Sequence, residues 1–207
     1  VYWDRPPAAP AGLKVDRQNK LLRLSWQPVA ALDDGSQLEG FAGYTIYRTE
    51  QQGTYEEAPV NKEPVQEPVF EDVPEKMDTT YFYVVRAARM VKETMVESAA
   101  SSELQVAYMD MAPPGAPKGL TAIPRQNGVE LKWIGAFQQD VAGYNIYRRD
   151  AGGFVRLNSK LITDNSWLDT GAKAGSSYVY AVTSVDASAK ANESPMSEPA
   201  SVTFKMQ

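Results

Sequence analysis

Carboxylates are the side chains in this sequence best suited to chemistry, and their spacing works against it. Glu56 and Glu57 are the residue type that could divide acid and base roles across one bond. Adjacent residues of an extended chain point to opposite faces, so these two cannot flank a single substrate bond. Asp33, Asp34, Ser36 and Glu39 crowd oxygen atoms into one loop. Calcium takes about six to eight such oxygens in fixed geometry, but the loop lacks the spacing of a helix–loop–helix calcium site. The 207 residues include no histidine and no cysteine. Their lack removes the commonest general base, the commonest zinc ligand, thiolate metal sites and disulfides together. No Gly-x-Ser-x-Gly turn, phosphate loop or dinucleotide fingerprint occurs. The residues therefore point to no catalytic, metal or cofactor-binding side chain, to no cofactor, and away from an enzyme.

The remaining signal is architectural. Gly43-Tyr44-Thr45-Ile46-Tyr47-Arg48 returns as Gly143-Tyr144-Asn145-Ile146-Tyr147-Arg148. Upstream, Pro10-x-Gly12-Leu13 and Trp26 return as Pro117-x-Gly119-Leu120 and Trp133. Downstream, Asp72 with Tyr81-Phe82-Tyr83-Val84-Val85 returns as Asp169 with Tyr178-Val179-Tyr180-Ala181-Val182. Three markers in one order mean one unit copied in tandem. Within each copy the period is two: Leu22, Leu24 and Trp26 alternate with Arg23 and Ser25, and Val129, Leu131 and Trp133 with Glu130 and Lys132. Tyr44 and Ile46 share one strand face, and Tyr81, Tyr83, Val85 and Ala87 another. Tyr47, Phe82 and Val84 take the opposite faces. Gly152-Gly153 predicts a hairpin leading into residues 154–157, and Gln51-Gln52-Gly53 the same in the first copy. Many short strands at regular spacing predict an all-β fold of antiparallel sandwiches.

Composition bounds the rest. Residues 1–112 hold 11 basic and 18 acidic side chains, a net charge of −7, whereas residues 113–207 hold 10 and 8, a net of +2. An acidic first half disfavours nucleic acid, whose phosphates need a basic surface. No apolar run approaches the ~20 residues of a transmembrane segment. Proline clusters at residues 6–10 and 113–117 predict an extended leader over residues 1–9 and a short linker over 109–116, bounding domains at 10–108 and 117–207. Trp26 lies 17 positions before Gly43 but Trp133 only 10 before Gly143, so the first copy carries seven extra residues in the loop 28–42.

These markers resemble fibronectin type III domains of the bacterial branch. Pro10, Trp26, Tyr44 and Tyr81 match the family's positions in the first copy, and Pro117, Trp133, Tyr144 and Tyr178 in the second. Val185-Asp186 followed by Asn192-Glu193-Ser194 and Ser197 is similar to the bacterial pattern, with Ala191 where glycine is usual. The first copy lacks that signature, having residues 90–94 in its place. The resemblance implies two tandem immunoglobulin-like sandwiches, with the tryptophans between the sheets and Tyr81 and Tyr178 as tyrosine corners. In the family's strand order Tyr47, Phe82, Val84 and Arg86 are neighbours on one outward face, an expected protein-binding strip, with Tyr147, Val179 and Ala181 a smaller version. No Arg-Gly-Asp tripeptide supports integrin-style adhesion. Asn192-Glu193-Ser194 fits a glycosylation sequon, weakened by Pro195. The implied function is a non-enzymatic binding or spacer protein of the cell envelope or exterior, with a protein or glycan partner. The proline-rich start resembles the tether after the lipid-anchored cysteine of bacterial lipoproteins, which sets an expected anchor upstream of Val1. The alternative is an accessory segment of a larger secreted polysaccharide-degrading enzyme.

Overall fold

The computed structural model describes residues 5–18 and 20–205, so residues 1–4 of the expected leader lie outside the described residues. The chain divides into two compact units, residues 1–110 and 111–207. Among the described residues every regular element is a strand, and no helix is long and apolar enough to cross a membrane.

In the first unit β1 (Ala11–Gln18), β2 (Leu21–Gln27) and β4 (Val69–Asp72) form one sheet in the order β1-β2-β4. The second sheet is β3 (Phe41–Thr49) against β5 (Thr79–Val91), which pairs with β7 (Leu104–Tyr108) along its first half and β6 (Thr94–Glu97) along its second. In the second unit β8 (Lys118–Arg125), β9 (Gly128–Ile134) and β12 (Ser166–Asp169) make the first sheet. β11 (Gly153–Arg156), β10 (Val141–Asp150), β13 (Ser177–Asp186) and β14 (Ala200–Thr203) make the other. All pairings are antiparallel.

Each core lies between its two sheets, as the two-residue period requires. Leu22, Leu24 and Trp26 meet Tyr44, Ile46, Tyr83 and Val85 in the first unit. Val129, Leu131 and Trp133 meet Tyr144, Ile146, Tyr180 and Val182 in the second. Each tryptophan packs edge-on against the tyrosine of the repeated phrase, at 5.1 Å for Trp26–Tyr44 and 5.3 Å for Trp133–Tyr144. The glycine opening that phrase sits at a register shift in both copies. A Cβ on Gly43 would stand 2.7 Å from the Val65 carbonyl oxygen, and one on Gly143 2.8 Å from that of Ile162, so neither position admits a side chain.

The described leader is not loose. Ala8 N–H donates to the Ala31 carbonyl at 3.0 Å and Asp33 N–H to that of Pro6 at 3.1 Å, and Pro7 is buried. The loop with the seven extra residues thus clasps residues 6–8. Of the linker, Asp110 N–H donates to Asp78 in the first unit, while the Gly115 carbonyl accepts from Ser184 in the second.

Candidate functional site

The outward face of β3 and β5 gathers the predicted strip as neighbours but buries Tyr47, Phe82 and Val84, leaving only Arg86 half-exposed. Tyr47 pairs with Val84 and Thr49 with Phe82 across the ladder. Yet Tyr47 is only 8 % exposed, Phe82 9 % and Val84 4 %. This corrects the expected surface strip: Glu97 and Arg86 cap Tyr47, and the segment after β3 reaches the β7 side of the sheet. The residues around Gln51-Gln52-Gly53 do not turn into a paired strand as predicted. Instead they cross the outer face of β5: Gly53 N–H and the Tyr55 hydroxyl donate to the Glu103 carboxylate, at 3.0 and 2.7 Å, just before β7. Burial and the Glu103 hydrogen bond push the Tyr55 phenol above its ordinary range. At the other end Glu97 accepts from the Thr45 hydroxyl at 2.7 Å and from Tyr47 at 2.9 Å, and the Arg86 guanidinium lies 5.6 Å over the Tyr47 ring. Arg86 also donates to the Ser98 carbonyl. The strip offers a partner a closed polar lid, not an apolar surface.

The same lid recurs in the second unit. Glu193 accepts from Asn145, Tyr147 and Thr183, while Ala181 beneath is buried. Burial alone would raise the Glu193 carboxyl, but those three donors hold it below the ordinary glutamate range. The equivalence of Glu193 and Glu97 corrects the reading that the first copy lacks the Asn-Glu-Ser feature. The aspartate and asparagine of the signature are absent, with Arg89 and Val96 in the places of Asp186 and Asn192. Glu97-Ser98-x-x-Ser101 matches Glu193-Ser194-x-x-Ser197 in role: Ser98 and Ser101 hydroxyls accept from Ala87 and Val85 N–H, as Ser194 and Ser197 accept from Ser184 and Val182. That repeat was present in the sequence as Glu-Ser-x-x-Ser. A second overlooked pair is Asn61 and Asn158, each after an apolar residue. Asn61 Oδ1 accepts Ile46 N–H at 2.8 Å and its Nδ2 donates to the Tyr44 carbonyl at 2.9 Å; Asn158 does the same for Ile146 and Tyr144.

A charged cluster underlies the open side of each sandwich. Arg48 on β3 donates to both Asp72 oxygens on β4, at 2.9 and 2.8 Å, and the Tyr83 hydroxyl donates to the same carboxylate at 2.6 Å. Arg148, Asp169 and Tyr180 repeat this at 2.7 and 2.8 Å. Each arginine lies over a corner tyrosine, 5.3 Å from Tyr81 or 5.0 Å from Tyr178. Burial and the adjacent carboxylate push the Tyr83 and Tyr180 phenols far above their ordinary range, so they remain donors at any working pH. Both tyrosine corners form: Tyr81 hydroxyl donates to the Lys76 carbonyl at 3.1 Å, and that of Tyr178 accepts Lys173 N–H at 2.8 Å.

Beside the first cluster lies a cleft of about 690 Å³ between the end of β3, the segment 56–60 and the loop before β5, with Arg48 and Tyr81 among its lining residues. The acidic loop 33–36 is occupied by its own contacts. Arg5 reaches Asp33 at 3.3 Å and Asp34 at 3.1 Å, and Asp34 accepts Ser36 N–H at 3.0 Å and its hydroxyl at 2.6 Å. Among the described residues no group of three or more acidic side chains is set to hold a metal ion. Asn192 of the sequon donates its amide to Asp186 at 2.9 Å and to Ser188 at 3.1 Å.

Strand order and corner tyrosines define two tandem antiparallel sandwiches, the architecture implied by the resemblance to fibronectin type III domains. No family model matches the chain. A 90-residue stretch, 42% of this chain, is 37% identical to an amylopullulanase of Thermoanaerobacterium saccharolyticum and covers 7% of it. A 79-residue stretch, 37% of this chain, is 33% identical to an amylopullulanase of Thermoanaerobacterium thermosulfurigenes and covers 4% of it. The chain thus spans less than a tenth of the length of these curated relatives. Among solved structures it is similar to the FN1–FN3 domains of chicken CNTN1, with 17% identity over 97% of this chain and 69% of that one at a TM-score of 0.44. It is also similar to a Fn3-like protein from Clostridium thermocellum, with 28% identity over 45% of this chain and 95% of that one at a TM-score of 0.39.

Proposed function

We propose that this chain is a non-catalytic, extracellular pair of spacer domains, an accessory segment of a larger bacterial polysaccharide-degrading enzyme. The observation that carries the reading is the 90-residue stretch shared at 37% identity with an amylopullulanase. It is about the length of one sandwich and a small part of that enzyme. The site geometry agrees. Carboxylates of the sandwich networks are saturated by donors from their own unit: Asp72 and Asp169 by arginine and tyrosine, Glu97 and Glu193 by hydroxyls and amides. Such carboxylates tie strands together rather than standing poised to exchange a proton with a substrate. A rigid sandwich with saturated faces suits holding other modules apart.

The intact mass of the native protein, recovered from culture medium and from membranes of the source cells, tests this. A mass far above the 22.8 kDa of this chain, in the medium and with a catalytic region attached, is expected. A lipid-modified product near that mass in the membrane fraction would overturn the reading in favour of a tethered stand-alone protein.

A further inference from the structure

The two copies differ where β3 and β10 meet the open side of the sandwich. In the second unit β11 covers that edge, pairing Arg148 with Val155 and Asp150 with Gly153. In the first unit the equivalent position is vacated. Val60 N–H donates to the Ile46 carbonyl as Leu157 N–H does to that of Ile146, which aligns Val60 with Leu157 and hence Ala58 with Val155. Arg48 and Ala58 are nevertheless unpaired, because the intervening segment has been drawn over the sheet face to Glu103. Tyr44 exchanges both its backbone bonds with Val65 on this side, so alternation points the N–H and C=O of Arg48 outward as well, and next the N–H of Glu50. Among the described residues none of these groups has a partner. They open onto the 690 Å³ cleft, whose rim carries Glu50, Glu56 and Glu75 against Lys76. Lys76 is spent on Glu50 at 2.8 Å. Glu56 and Glu75 are exposed and make no ion pair among the described residues.

We propose that this vacated edge binds an extended, lysine-rich or arginine-rich peptide segment of a protein partner by strand addition alongside β3. Backbone groups of Arg48 and Glu50 supply the ladder bonds, and Glu56 and Glu75 select basic side chains at alternate positions. Charge decides against a second copy as the occupant, since edge-to-edge pairing would bring two sets of Glu50, Glu56 and Glu75 together. The second unit, its edge already filled and its net charge positive, serves as an internal control. This inference goes beyond the spacer reading and does not depend on the native length.

The test is a titration of the whole 207-residue chain with a fluorescent eight-residue peptide alternating lysine and valine, at low salt, with amide resonances followed by NMR. Saturable binding is expected, with the largest shifts at Arg48 and Glu50 and none at Arg148. Methylating alternate peptide nitrogens should abolish it. The charge reversals Glu56→Lys and Glu75→Lys, both on exposed side chains, should together weaken it about tenfold while leaving the NMR spectrum of the core unchanged. Binding insensitive to N-methylation, shifts confined to other surfaces, no saturation at millimolar peptide, or a dimer that blocks the edge would each overturn the proposal.

Discussion

Replacing Asp72 by alanine removes the one acceptor shared by Arg48 and Tyr83. The guanidinium loses two contacts at 2.8 and 2.9 Å and the phenol one at 2.6 Å. The Arg48 side chain keeps 24% of its surface in solvent while Asp72 keeps 8%, so the stranded charge recovers part of its hydration. We assign about 2–3 kcal/mol to the guanidinium, below the full cost of an uncompensated buried charge, and about 1–2 kcal/mol to the orphaned hydroxyl. The total of about 3–5 kcal/mol should lower the melting temperature of a unit this size by more than ~12 °C. Calorimetry on the intact chain reads it directly, because the second unit supplies its own unchanged transition. Tyr83→Phe alone should cost about 1 kcal/mol, and adding it to Asp72→Ala should cost less than the sum, since no hydroxyl is left to strand. Replacing all three by apolar residues (Arg48→Met, Asp72→Leu, Tyr83→Phe) should recover most of the loss. If Asp72→Ala moved the first unit by less than ~1 kcal/mol, or if the two changes were additive, the shared-acceptor account would be wrong.

Three further outcomes follow from the geometry. Ala191 sits at φ 50°, where a Cβ is strained, so Ala191→Gly should stabilise the second unit by about 1 kcal/mol in chemical denaturation; a loss of stability would refute the strain. Asp186 resists its burial because Ser188 and Asn192 donate to it and hold its carboxyl below the ordinary aspartate range. Its contribution is therefore complete above the unfolded value of about 3.9 and lost as pH falls through the lower folded value, so Asp186→Asn should flatten the acid side of the second unit's stability curve and leave the first unit's unchanged. Tyr55→Phe removes one of the two bonds that hold the segment to Glu103, at a cost of about 1 kcal/mol, and limited proteolysis should then cut within residues 51–57 faster than in the parent; an unchanged cutting rate would refute the role of the Tyr55 hydroxyl.

The fold was legible because its markers are positional. Trp26, Tyr44 and Tyr81 must recur in order for two sheets to close, and a period of two separates their faces. That same period misled on Tyr47, Phe82 and Val84. It reports which face a side chain takes, not what later chain segment lies over that face. Tyr47 is capped by Glu97, 50 positions on, while Gly53 and Tyr55 bond to Glu103 at a similar range, and no local pattern announces such contacts. The loop 28–42 is a similar case, since its length was visible while its grip on residues 6–8 was not. Glu97 and Asn61 were missed for a different reason. Polar residues in a strand-rich sequence read as solvent-facing, and only their hydrogen bonds show Asn61 to be a buried staple and Glu97 a half-buried one.

Arg48 and Asp72 belong to opposite sheets, as do Arg148 and Asp169. A core of aliphatic and aromatic side chains resists sliding only through its close packing, because dispersion and burial carry little directional preference. Charge-assisted bonds of fixed length add a directional restraint, and in each copy an arginine and a tyrosine of one layer hold an aspartate of the other. In a polypeptide pulled at both ends, these clasps act as shear pins. They add to the load needed for one layer to slip past the other.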